Sequence, residues 1–131
     1  MARAEGTVQI TSWDEQSYAE FDDGRKFTTT KVTQQYEGGI SGDGEATWLA
    51  AYRADGTADY VGYLRIAGDL DGTEGSTVLR LTGGYDGEVA RTDLEVVAGA
   101  GTGGLERLHG SGRWEAGRDG TQHYALDYEL G

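Results

Sequence analysis

The side chains best equipped for chemistry in this chain are aromatic. Its 131 residues include eight tyrosines and three tryptophans but only two histidines and no cysteine. Without Cys there is no thiol nucleophile, no disulfide framework and no Cys-based metal site. His109 and His123 fall on outward positions of the strand alternation described below, so a His-ligated metal or a Ser–His relay is not expected. Gly99-Ala100-Gly101-Thr102-Gly103-Gly104 satisfies the G-x-G-x-x-G pattern. Dinucleotide binding needs a helix directly after it, and Gly110 and Gly112 stop any helix, so the run reads as a loop. Asp69-Leu70-Asp71-Gly72-Thr73-Glu74 lacks EF-hand spacing and reads as a hairpin turn. Paired carboxylates for hydrolysis would have to face a cleft, whereas the acids here lie mostly in turns or on solvent-side positions. Tyrosine hydroxyls and indole walls remain, suited to orienting an apolar molecule.

Short strands must position them. Asp-Gly pairs recur at 23–24, 43–44, 55–56, 71–72, 86–87 and 119–120, and both residue types tolerate the positive φ that tight hairpins require. Between them lie runs rich in Thr, Val, Tyr and Leu, which place strands near 5–13, 25–37, 42–53, 58–67, 74–84, 88–97, 105–115 and 121–130. No segment has a helical period of useful length, and the acidic stretch from Asp14 to Asp23 reads as a loop or single turn. The expectation is an all-β fold, one domain over 1–131, in which eight antiparallel strands run up and down and close into a barrel. Abundant Gly, 23 residues, fits the bulges and bends of a tight barrel.

Alternation separates the two faces. Ala46, Trp48, Ala50 and Tyr52 oppose Glu45, Thr47 and Arg53; Tyr60, Gly62, Leu64 and Ile66 oppose Asp59, Tyr63 and Arg65. In the last strand Tyr124, Leu126, Tyr128 and Leu130 oppose His123, Asp127 and Glu129. A two-residue turn at Asp71-Gly72 sets Leu64 opposite Leu79 and diagonal to Leu81. The same reasoning at Asp86-Gly87 brings Leu79 and Leu81 near Leu94 and Thr92, while the Asp55-Gly56 hairpin needs an odd-length loop or a bulge. Arg80 alternates with these leucines and should point outward; a one-residue slip would make it a lumenal cation. Gln34 joins the tyrosines and Thr92 as a polar inner residue. Two readings of the interior stay open: a filled core with tyrosine hydroxyls at its rims, or a pocket for one apolar molecule. Trp13, Trp48 and Trp114 read first as barrel packing.

The net charge of −12 argues against nucleic acid or anionic membrane as partner, because both need a cationic footprint. The first residues carry no apolar signal core and no run approaches a membrane-spanning length, so a soluble cytoplasmic protein is expected.

Several stretches, in order along the chain, resemble one bacterial family. They are Ser12-Trp13-Asp14-Glu15, Ala51-Tyr52-Arg53-Ala54-Asp55-Gly56, Gly101-Thr102-Gly103-Gly104-Leu105, Leu108-His109-Gly110-Ser111-Gly112 and Leu126-Asp127-Tyr128-Glu129-Leu130. The family is domain of unknown function 3224, whose barrel is similar to that of allene oxide cyclase. The resemblance implies an eight-stranded barrel, self-association into a homo-oligomer, and no established reaction. Similar barrels in plant allene oxide cyclase and bacterial spirotetronate cyclases fold reactive apolar substrates without a cofactor. This chain departs from the family where Gly62-Tyr63-Leu64-Arg65 stands for the usual Gly-Leu-Glu-Arg and Arg80-Leu81 for the usual Gln-His. A polar Glu–His pair thus becomes Leu64 and Leu81, which implies a dry lumen.

The function expected from these readings is a cofactor-free cyclase or isomerase acting on an apolar small molecule in natural-product biosynthesis. Tyr52, Tyr60, Tyr124 and Tyr128 are its candidate hydrogen-bond donors to a developing oxyanion. Trp48, Leu64, Leu79, Leu81, Thr92, Leu94, Trp114 and Leu126 are its candidate substrate-contacting walls, and no metal is expected. The alternative is a non-catalytic carrier that uses the same pocket. A protein-interaction module with an acidic exterior would instead have a filled barrel.

Overall fold

A computed structural model describes residues 1–116 and 122–131. Its strands are β1 (Ala2–Glu20), β2 (Lys26–Gly38), β3 (Ile40–Tyr52), β4 (Ala58–Leu70), β5 (Thr73–Tyr85), β6 (Ala90–Val96), β7 (Thr102–Gly103), β8 (His109–Ala116) and β9 (Gln122–Glu129). All pairings are antiparallel, in the order β4-β3-β2-β1-β9-β8-β6-β5, and β4 also pairs with β5. That last pairing closes eight strands into an up-and-down barrel without a free edge. The two-residue β7 lies outside the ring, against Gly75 and Ser76 of β5. Among the described residues no helix follows the Gly99–Gly104 run.

The period-2 alternation settles the faces. Leu64 lies opposite Leu79 across a two-residue Asp71-Gly72 turn, with Asp71 at φ 49° and Gly72 at φ 95°. Positive φ at both central residues is the type I′ arrangement, whose twist matches that of paired strands. The β3–β4 hairpin pairs Tyr52 with Ala58 across an odd-length loop, as the inner-face parity demanded. Leu64, Leu79 and Leu81 are sealed within the packed half of the lumen, together with Val32, Tyr36, Ala46, Leu94 and Leu126. Each fully buried leucine contributes up to about 2–3 kcal/mol of hydrophobic stabilisation.

Several local expectations are corrected. β1 runs through the stretch expected as a loop and ends at Glu20, with register shifts between Ile10 and Ser12 and between Ser17 and Ala19. Its acids do not prevent strand formation because this part of β1 pairs with β2 and sets Asp14 opposite Lys31 and Glu20 opposite Lys26. Asp43-Gly44 is not a turn. It lies within β3, and the β2–β3 reversal occurs at Gly38-Gly39, where Gly38 takes φ 106°. The Asp86-Gly87 loop is longer than two residues, since Tyr85 pairs with Ala90. Asp86 Oδ1 accepts from the amides of Glu88 and Val89, both at 2.9 Å, and this stabilises the wider turn. The register moves by two, so Leu81 faces Leu94 and Gly83 faces Thr92, with inner-face parity intact. The strand expected from 105 starts instead at His109, and Leu105 and Leu108 of the preceding turn cap the packed end of the lumen. Leu130 lies beyond β9 and is exposed. The Asp119-Gly120 pair lies outside the described residues.

Candidate functional site

The β1–β2, β3–β4 and β5–β6 hairpins mark one end of the barrel, and there the lumen opens into a cavity of about 210 Å3. Every barrel strand contributes to it: Ile10 and Trp13 from β1, Gln34 from β2, Trp48, Ala50 and Tyr52 from β3, and Ala58 and Tyr60 from β4. Tyr85 of β5, Ala90 and Thr92 of β6, Trp114 of β8 and Gln122 of β9 complete the wall. Gln34, Thr92, Trp48 and Trp114 are buried at its closed end, whereas Trp13, 51 % exposed, and Tyr85 stand at the mouth. Ala50, Ala58 and Ala90 leave this space open. A Cβ on Gly83 would come within 2.5 Å of the Tyr60 ring, so only glycine lets that ring lie against β5. Trp48 stacks at a tilt on Tyr60, with 5.6 Å between centroids, and receives Trp13 edge-on at 5.5 Å.

Glu15 supports the mouth from behind. Its Oε2 accepts from the Tyr52 hydroxyl at 2.7 Å and from Thr28 at 2.8 Å, and its Oε1 accepts from Trp13 Nε1 at 3.4 Å. Burial is the largest single influence on this carboxyl and pushes its pKa up. The three donors and the charge of Lys26 together outweigh it, so Glu15 stays ionised below the ordinary glutamate range. Tyr52 is in turn pushed up to about 12, by burial first and then by the adjacent carboxylate. Lys26 Nζ sits 4.8 Å over the Tyr52 ring.

The structure divides the sequence candidates between three places. Tyr52, Tyr60, Trp48, Thr92 and Trp114 surround the cavity. Leu64, Leu79, Leu81, Leu94 and Leu126 fill the hydrocarbon core of the barrel and are not among the residues around that cavity. Tyr124 and Tyr128 secure turns at the opposite end. The Tyr124 hydroxyl accepts from Ile40 N and donates to the Glu37 carbonyl, both at 2.8 Å, and Tyr128 donates to Asp71. That bond, and then burial, pushes Tyr128 up to about 12.

The direction of each hydroxyl proton decides what these groups can offer a ligand. Tyr52 donates to Glu15, Tyr85 to the Gly87 carbonyl at 2.8 Å, and Tyr36 to Gln34 Oε1 at 2.8 Å. Tyr60 and Thr92 share one hydrogen bond of 2.7 Å, which uses one of their two protons and leaves the other O–H available. Trp114 Nε1–H is buried without an acceptor in hydrogen-bonding geometry. It still lies close enough to Tyr36 to pull that phenol down slightly against the larger upward push of burial.

The sequence pattern does not reveal Glu15 or the mouth position of Trp13, because it ends the first strand at residue 13 whereas β1 continues to Glu20. The signal was the absence of any Gly between Gly6 and Gly24, which leaves no tight turn before residue 23. Arg80 points outward, as do His109 and His123. Arg80 lies in a larger, open depression of about 820 Å3 on the outer wall, alongside Arg3, Asp93, Glu95, Arg113 and Asp127. Arg3 is held there by Asp127 at 2.7 Å. Its interspersed, solvated charges make it an ordinary hydrophilic exterior.

Over residues 4–128 the chain matches the model of a family described as Protein of unknown function (DUF3224). It belongs to that family. A solved structure of another DUF3224 protein of unknown function, from Shewanella oneidensis MR-1, is similar, with a TM-score of 0.84 and 26% sequence identity. The likeness covers 98% of this chain and 97% of that one. No curated protein matches the chain in sequence. This DUF3224 barrel therefore shares its architecture over nearly all of its length with that relative. Among the described residues no helix is long and apolar enough to cross a membrane.

Proposed function

We propose that this barrel binds one small, flat, apolar molecule in the aromatic mouth of its lumen and holds it without chemical change. The observation that carries this reading is the cavity itself: about 210 Å3, contributed to by all eight barrel strands and walled by Trp13, Trp48, Tyr52, Tyr60, Tyr85 and Trp114. A dry apolar cavity of about 150 Å3 is known to hold benzene, so this one has room for one or two rings. Ligand sites commonly combine such walls with a few polar groups, here Gln34 and the Tyr60–Thr92 pair. Carriage is favoured over turnover because the Tyr52, Tyr124 and Tyr128 protons are committed to protein acceptors. Native mass spectrometry tests it. A small neutral molecule retained through purification, or taken up from added indane and released unchanged, is expected. Protein mass alone in both experiments would overturn it.

The spare O–H of Tyr60 and Thr92 favours a second reading, a cofactor-free cyclase or isomerase. One donor aimed at a developing oxyanion, within a cavity that confines the substrate near its reactive conformer, would suffice for such a reaction. Under this reading Tyr60→Phe lowers turnover while binding is spared; under carriage there is no turnover to lower, and binding weakens by no more than one hydrogen bond.

A further inference from the structure

We infer that the molecule taken by the lumen presents a neutral hydrogen-bond acceptor, a ketone-type carbonyl on a one- or two-ring skeleton, to the amide of Gln34. The inference rests on the reading of the cavity as a ligand site and adds the chemistry of its closed end. Gln34 is 3 % exposed and lines the cavity. Its Oε1 is occupied by the Tyr36 hydroxyl, and this bond fixes the orientation of the side-chain amide. Among the described residues no protein acceptor receives the Gln34 amide protons. Because Gln34 lines the cavity, a ligand oxygen at this position can pair with its amide nitrogen, an interaction the protein itself does not make. The spare proton of the Tyr60–Thr92 pair has the same polarity.

The uncommitted protons at the closed end belong to the Gln34 amide, the Tyr60–Thr92 pair and the Trp114 indole, and these donors sort the ligand classes. A cation would meet the positive ends of N–H and O–H dipoles, and one face of the Tyr52 ring already carries Lys26. An anion would approach a protein of net charge −12 past the Glu15 carboxylate at the mouth. A neutral carbonyl oxygen satisfies the donors and adds no charge, and its ring skeleton occupies the space between the indoles.

The test compares indan-1-one with indane, its parent hydrocarbon, in wild type and in Gln34→Met/Tyr36→Phe. That double substitution removes the amide and also the phenol that would otherwise lose its acceptor. The ratio of indanone to indane affinity, each measured on the same protein, is expected to fall about five- to tenfold in the variant, as one hydrogen bond implies. An unchanged ratio overturns the inference and leaves the ligand site standing. Tighter binding of phenyltrimethylammonium than of indanone overturns it in favour of a cation. Failure of both indane and indanone to bind wild type refutes the site itself, and the inference with it. Should the variant not fold, the carbonyl 13C resonance of indanone bound to wild type decides. It is expected downfield of its position in apolar solvent, and an unshifted resonance overturns the inference.

Discussion

Gly83→Ala puts the geometry of the mouth under direct strain. The new methyl would lie 2.5 Å from two carbons of the Tyr60 ring and 2.7 Å from the Arg91 carbonyl oxygen. Carbon atoms pack at about 3.5–4.0 Å, so the ring must retreat by about 1 Å, and the open direction is into the cavity. That movement also stretches the 2.7 Å bond between Tyr60 and Thr92. Overpacking of this kind costs about 1–3 kcal/mol, which for a domain of this size lowers Tm by roughly 5–10 °C. Gly84→Ala is the control, since its methyl would meet nothing closer than 3.4 Å and stability should stay within about 0.5 kcal/mol. Thermal unfolding followed by circular dichroism, with an indane titration on each variant, reads both effects. The reasoning fails if the two variants are indistinguishable, or if Gly83→Ala keeps wild-type Tm and indane affinity.

Three further outcomes follow from the same geometry. Glu15 has a lowered folded-state pKa, so its stabilisation is present above the ordinary glutamate value and is lost as pH falls through the folded one. The stability difference between wild type and Glu15→Gln, from urea denaturation, should therefore shrink as pH drops below the ordinary glutamate value of 4.5, and ultraviolet titration should show Tyr52 ionising at lower pH in the variant than in wild type, because the adjacent carboxylate no longer raises it. Leu64→Ala, at a fully buried site, should cost about 2–5 kcal/mol in chemical denaturation; a loss under about 1 kcal/mol would place Leu64 outside the packed core. Asp71→Ala should cost about 1–2 kcal/mol, because it puts alanine at φ 49° and removes the acceptor of Tyr128, whereas Asp71→Asn should retain most of the stability.

The inner face of the barrel was legible in the sequence because strand parity is local and survives errors of loop length. The Asp86-Gly87 loop is longer than expected, yet Leu81, Leu94 and Thr92 still point inward, since the error is an even number of residues. The turn at Asp71-Gly72 was legible because the pair's own φ preferences select it. What stayed hidden depends on contacts between residues far apart in sequence. Glu15 matters through Tyr52, 37 positions away, and Tyr124 is committed to the β2–β3 reversal through Ile40, 84 positions away. No alternation pattern reports where a hydroxyl proton goes. The tyrosines therefore looked equivalent in sequence, while in the fold Tyr60 keeps a share in a free donor and Tyr124 anchors a turn. Leu64 and Leu81, where the family resemblance implied a missing polar pair, proved to be sealed core and leave the cavity to Trp48, Trp114 and their neighbours.

An NMR titration of 15N-labelled protein with indane tests most directly that the aromatic mouth of the lumen is a ligand site. The indole N–H resonances of Trp48 and Trp114 should shift saturably, with a single affinity, while the amides of Arg80, Asp93 and Arg113 on the outer wall stay in place. Indole resonances that do not move, or shifts that are largest on the outer wall, would contradict it.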